Sequence, residues 1–199
     1  MIRRMEAVRQ AQEMSVEDYL AAEERSHARH EYLGGAVYAM AGASDEHIAL
    51  SMNLAFALRN HLQNTPCRVQ MSDGKVRLRL AGEDVFYYPD VMVVCDPRDR
   101  DRYFKRYPKV VIEVLSQGTE AIDRREKFLS YRQIETLEEY LLVAQDEMEL
   151  TLFPRANRWQ PTILRQPDEV LRLASLDFSI SLKAVYERAA PGRPGEVPG

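Results

Sequence analysis

Two acidic residues stand where the chain around them is apolar. Asp90 follows Pro89 at the mouth of Val91-Met92-Val93-Val94, and Glu113 lies inside Val110-Val111-Ile112-Glu113-Val114-Leu115. An ionised carboxylate in such surroundings costs several kcal/mol unless something compensates it. Period-two alternation puts Val111, Glu113 and Leu115 on one strand face and Ile112 and Val114 on the other, so Glu113 projects into whatever covers the first face. If strand 91 to 94 lies beside strand 110 to 115, the two acids meet. Hard oxygen ligands of that kind suit Mg²⁺, with Mn²⁺ as an alternative. Taken singly, each acid has a plainer account: Glu113 pairs with a base on the following helix, and Asp90 starts a turn after proline. The pair in its context carries the argument. Pro167-Asp168 acts as an internal control, because no acid embedded in an apolar strand follows it.

The elements that must position these acids are readable from periodicity and caps. Ser15 with an acid three residues on forms a capping box that opens a first helix, expected to run to about Arg29. Glu31 to Met40 reads as a hairpin about Gly34-Gly35. Ser44 or Asp45 caps a second helix over about 46 to 63, whose apolar residues surround so much of its circumference that cover on more than one side is expected. Strict alternation over Lys75 to Leu80, and the runs at 85–88, 91–94 and 110–115, read as strands. The charged, proline-containing segment Asp96 to Lys109 reads as a loop across the sheet edge. A third helix over about 120 to 133, strands at 140–144, 149–153, 159–164 and 169–173, and a last helix near 183–188 follow. The fold class is α/β, a mixed twisted sheet flanked by helices. One domain over 15–188 is expected between an extension, 1–14, and a disordered Pro/Gly tail, 189–199.

Composition limits the function classes. With 45% hydrophobic and 29% charged residues the 199-residue chain is an ordinary globular one. No run approaches the roughly 20 apolar residues of a bilayer span, and Met1 to Met14 has no apolar core for a secretory signal, so a cytoplasmic location is expected. Cys67 and Cys95 are too few for a disulfide framework and are read as reduced packing residues. A net charge of −4 gives no overall field for a polyanion, which leaves nucleic-acid contact to a local patch.

Pro89-Asp90 followed by Glu113 in a β-branched strand resembles the PD-(D/E)xK nuclease superfamily, and the resemblance implies a restriction-endonuclease-like αβββαβ core. More narrowly the chain resembles the Uma2 family of endonucleases. The stretches that carry this are His30-Glu31-Tyr32-Leu33-Gly34-Gly35, His47, Tyr88-Pro89-Asp90-Val91-Met92-Val93-Val94, Val111-Ile112-Glu113-Val114-Leu115-Ser116, Asp123 with Lys127 and Tyr131, and Glu139-Tyr140-Leu141-Leu142-Val143. The superfamily lysine two residues beyond the second acid is here Leu115. Uma2-like sequences share that departure and keep a lysine on the next helix, which is Lys127. The resemblance implies a Mg²⁺-dependent endonuclease acting on DNA, with Asp90, Glu113 and Lys127 catalytic. It places the metal on Asp90, Glu113 and the Val114 carbonyl, with Glu31 as an additional acid.

His47 is a candidate for phosphate contact. Arg98, Arg100, Arg102, Lys105 and Arg106, interleaved with Tyr103, Phe104 and Tyr107, form the best local cationic patch, although Asp99 and Asp101 interrupt it and make a solvated surface loop an equal reading. By spacing alone Lys127 would form an exposed helical pair with Asp123, worth a few tenths of a kcal/mol. Two other functions stand beside the enzyme. One is a catalytically weak nuclease-fold module for nucleic-acid or protein interaction, favoured by Leu115. The other is a structural homodimer through the hairpin 31 to 40 or the loop 98 to 109.

Overall fold

The computed structural model describes residues 14–116 and 123–189. The expected extension and tail therefore fall almost wholly outside the described residues. Helix α1 (Val16–Glu23) begins where the sequence places it, with Ser15 Oγ accepting the Asp18 N–H at 3.1 Å. It stops short of Arg29 because Tyr19 is its one buried residue, and no large apolar side chain between 24 and 29 anchors a further turn. Strands β1 (His30–Leu33) and β2 (Ala36–Ala39) form the hairpin, its Gly34 and Gly35 both at positive φ.

Helix α2 (Asp45–His61) is capped by Ser44, whose Oγ accepts the His47 N–H. There follow β3 (Arg68–Met71), β4 (Lys75–Leu80), β5 (Glu83–Tyr87), β6 (Val91–Val94), β7 (Phe104–Lys105) and β8 (Pro108–Leu115). The two-residue β7 lies within the segment read as loop, where it pairs in parallel with β4. A π-helical turn over Asp123–Lys127 then runs into α3 (Phe128–Tyr131), where the sequence suggests a single α-helix. The chain continues through β9 (Glu139–Ala144), β10 (Leu150–Pro154), β11 (Thr162–Leu164), β12 (Val170–Leu173), β13 (Phe178–Ser181) and α4 (Leu182–Val185). The sequence pattern does not signal β13, which is only four residues in a short run after Asp177.

The strands form a six-stranded mixed sheet, β11-β10-β9-β8-β6-β3, and a five-stranded one, β2-β1-β5-β4-β7, with β12 and β13 as a separate pair. In the six-stranded sheet only β8 and β9 run parallel. Its face bearing Val110, Ile112 and Val114 packs on Leu50, Leu54 and Leu58 of α2 and on the β12–β13 pair. Each of those leucines is fully buried, a gain of about 1.5–3 kcal/mol apiece. The opposite face, with Val111 and Leu115, packs on Val76, Val85 and Tyr87 of the five-stranded sheet and on Tyr131 and Tyr140. Tyr19, Tyr32, Phe86 and Phe104 close the far side of the five-stranded sheet against α1.

Two expectations are corrected. Cys67 and Cys95 pack against the core as foreseen, but they are joined in a disulfide rather than reduced. The cause is register: β3 and β6 pair Arg68 with Val94, so the next cross-strand pair sets Cys67 opposite Cys95. Helix α2 is covered on one side only, since Ile48, Met52 and Phe56 are about half exposed or more. No described helix is long and apolar enough to cross a membrane.

Candidate active site

The alternation of β8 sends Glu113 into the layer between the two large sheets, and the alternation of β1 sends Glu31 there from the other side. Tyr32 faces α1 while Leu33 packs in the same interlayer. The connection that carries β8 over to its parallel neighbour β9 brings the π-helical turn and α3 across this layer. As a result Lys127 Nζ lies 2.9 Å from Glu31 Oε1 and 3.5 Å from Glu113 Oε1. It also sits 5.5 Å from the centre of the Tyr87 ring. The lysine is therefore buried rather than exposed and compensates two inward-facing acids; the Asp123 side chain lies outside the described residues.

Glu113 is 2% exposed and has a fixed geometry. Tyr131 O–H donates to its Oε1 at 3.0 Å, and the Asp90 N–H donates to its Oε2 at 3.3 Å. Burial, reinforced by the charge of Glu113, holds the Tyr131 phenol well above its ordinary pKa, so it remains a donor. Asp90 sits just before β6, level with the inner part of β8 because Val91 pairs with Ile112. Its Oδ2 accepts the Val114 N–H at 2.7 Å and lies 3.2 Å from His47 Nε2. His47 reaches it from the first turn of α2, on the opposite face of the sheet from Lys127. The sequence names Tyr131 only within the resembling stretch that holds Asp123 and Lys127; its place four residues beyond Lys127, on the same helix face, is the available signal for its contact with Glu113.

Asp90, Glu113, Val114, Lys127, Glu31 and His47 are therefore linked by direct contacts, although they come from five separate stretches of chain. The cationic loop is not linked to them by any contact among the described residues. Arg98 follows the end of β6 remote from Asp90, with its guanidinium held by Asp96 and Glu135, each at 2.7 Å, and stacked 4.0 Å over Tyr107. Lys105 is 4% exposed and donates to the Asp101 carbonyl. Buried Asp99 closes the loop by accepting the N–H groups of Arg106 and Tyr107, both at 2.8 Å. Arg100, Arg102 and Arg106 are exposed. Leu115, at the superfamily's lysine position, is buried in the apolar interlayer.

The donor chemistry fits one hard divalent cation better than a larger centre. The carboxylates of Asp90 and Glu113 stand together, joined through the Asp90 and Val114 N–H groups, and Mg²⁺ typically takes one or two carboxylates and keeps several waters. No group of three or more His, Cys, Asp or Glu arranged for a metal occurs among the described residues.

Comparison with known proteins is consistent along the whole described core. Residues 16–184 match the family model described as "Uma2: Putative restriction endonuclease". The uncharacterized protein slr1290 of Synechocystis sp. (strain ATCC 27184 / PCC 6803 / Kazusa) is 37% identical over 179 residues, covering 89% of this chain and 93% of that one. A second uncharacterized protein of the same organism, sll1609, is 33% identical over 135 residues, covering 66% and 75%. Among solved structures, one described as "a putative nuclease belonging to DUF820 from Anabaena variabilis ATCC 29413" superposes with a TM-score of 0.70 at 13% identity, covering 89% of this chain and 99% of that one. That likeness extends to the fold.

Proposed function

The chain belongs to the Uma2 family, and from that premise we propose that it is a Mg²⁺-dependent endonuclease hydrolysing phosphodiester bonds of DNA. The observation that carries the reading is the convergence of Asp90, Glu113 and Lys127, with the ammonium 3.5 Å from the Glu113 carboxylate. Asp90, Glu113 and the Val114 carbonyl would hold the metal, with Glu31 beside them as the additional acid. When bound, Mg²⁺ supplies charge neutralisation at the scissile phosphate and a more acidic water. Tyr131 fixes the rotamer of Glu113, and Glu31 holds the Lys127 ammonium in the interlayer. From there Lys127 orients the attacking water and stabilises the negative charge that develops on the phosphoryl oxygens. His47, in contact with Asp90, steadies that carboxylate and is assigned to a backbone phosphate on the α2 side.

The exposed Arg100, Arg102 and Arg106 are assigned to the DNA backbone outside the reacting centre, because the Arg98 fork is occupied and Lys105 is buried. The test is Mg²⁺ binding by calorimetry on the parent protein, Asp90→Ala and Glu113→Ala, with plasmid nicking followed on the same samples. Binding and nicking that vanish together in both variants support the enzyme. An absence of metal binding in the parent would sink it in favour of an interaction module, a reading that Leu115 in the apolar layer supports.

A further inference from the structure

Helix α2 turns its leucines inward and leaves a second apolar band in solvent. Ile48, Met52 and Phe56, one per turn, are 48%, 54% and 67% exposed. Large apolar groups aligned on one helix face are not the scattered exposure normal for a surface. The sequence along this face is symmetric about its middle. Ile48 and Phe56 lie four residues either side of Met52, and Asp45 and Arg59 lie seven either side.

At about 100° per residue, Asp45 and Arg59 both fall within the arc spanned by the three apolar residues. Both are exposed, and neither has a side-chain partner among the described residues. The helix thus carries its acid in the first turn and its base in the last, with an apolar centre. A closed two-fold interface requires one patch to be complementary to itself after a half turn. This patch is: an antiparallel pair of α2 helices centred on Met52 sets Met52 against Met52, Ile48 against Phe56, and Asp45 of each copy against Arg59 of the other.

We propose that the outer face of α2 is the surface through which two copies of this chain associate, crossing antiparallel at Met52. The surface differs from the hairpin 31 to 40 and from the loop 98 to 109, and the proposal does not depend on the nuclease reading. A single helix pair buries less than the roughly 1,200 Å² of a standard interface, so association is of the weak, concentration-dependent kind.

Sedimentation equilibrium of the full chain over a concentration series tests it, and charge exchange makes the test specific. Asp45→Arg and Arg59→Asp each place two like-charged pairs across the axis, and each should weaken self-association by about tenfold or more. Mixing the two weakened variants should restore association close to the parent level, because every arginine then faces an aspartate. Met52→Cys should cross-link to itself under mild oxidation, since the native cysteines are already paired. A parent that stays monomeric throughout, a dimer indifferent to Asp45→Arg, or a mixture that fails to recover would each overturn the proposal. Recovery on mixing also shows that the single variants are folded.

Discussion

Replacing Lys127 by methionine keeps the length and apolar stem of the side chain and removes only its charge. In the native interlayer that charge faces Glu113, whose side chain is 3% exposed, and Glu31, at 16%. Breaking a buried pair by deleting one partner costs about 3–5 kcal/mol, because the remaining charge keeps its desolvation penalty. Glu31 retains some water, which puts the expected loss near the lower end, about 3 kcal/mol. For a chain of this length that corresponds to a fall in Tm of about 6–12 °C. Urea unfolding without divalent metal, followed by the fluorescence of the one tryptophan, Trp159, measures the loss. Glu113→Gln and the double variant complete the cycle. If the ammonium compensates Glu113, the double variant is less destabilised than the sum of the singles by about 2 kcal/mol. A Lys127→Met loss under about 1 kcal/mol, additive with Glu113→Gln, would refute the account of why these acids tolerate their surroundings.

Three further outcomes follow from particular contacts. Tyr131→Phe removes the donor to Glu113 Oε1 and should cost about 1.5–3 kcal/mol in urea unfolding, the usual range for a hydrogen bond to a charged group. Cys67→Ser with Cys95→Ser opens a cross-link between residues 28 apart in sequence, and the chain-entropy relation puts the loss near 3.6 kcal/mol, to about half a kcal/mol, readable from the same urea midpoint. Burial is the first cause that raises the phenol pKa of Tyr19, Tyr32, Tyr87, Tyr88, Tyr131 and Tyr186. Raised folded-state values mean that this contribution to stability is complete below the unfolded value near 10 and is lost as pH climbs through the folded values. An alkaline titration of phenolate absorbance should show these six of the ten tyrosines ionising only with cooperative unfolding; early, independent ionisation of all ten would contradict it.

The strand positions of the two acids were legible because burial on both sides of β6 and β8 leaves an unmistakable apolar run, within which a carboxylate stands out. The caps at Ser15 and Ser44 were legible for a similar reason, being local hydrogen-bond chemistry. What spacing could not supply is which partner a charged side chain chooses. Spacing offers Lys127 only Asp123, one turn away; its contacts with Glu31 and Glu113, which come from two different sheets, are set by layer packing. The pairing of Cys67 with Cys95 depended in the same way on strand register, which the sequence leaves open across the intervening segment. Helix α2 misleads through composition: apolar residues all round suggest two-sided cover, whereas Ile48, Met52 and Phe56 face water.

The parallel pairing of β8 with β9 bears on the order in which the site comes into being. Two strands running the same way cannot be joined by a tight turn, so the chain must climb out of the sheet and return. Lys127 lies on that excursion. A folding chain that has aligned β6 and β8 while its crossover is still undocked holds its acids against an apolar layer with no cation beside them. Docking of the crossover therefore completes the parallel pair and neutralises the acids in one event, which couples maturation of the site to closure of a non-local connection.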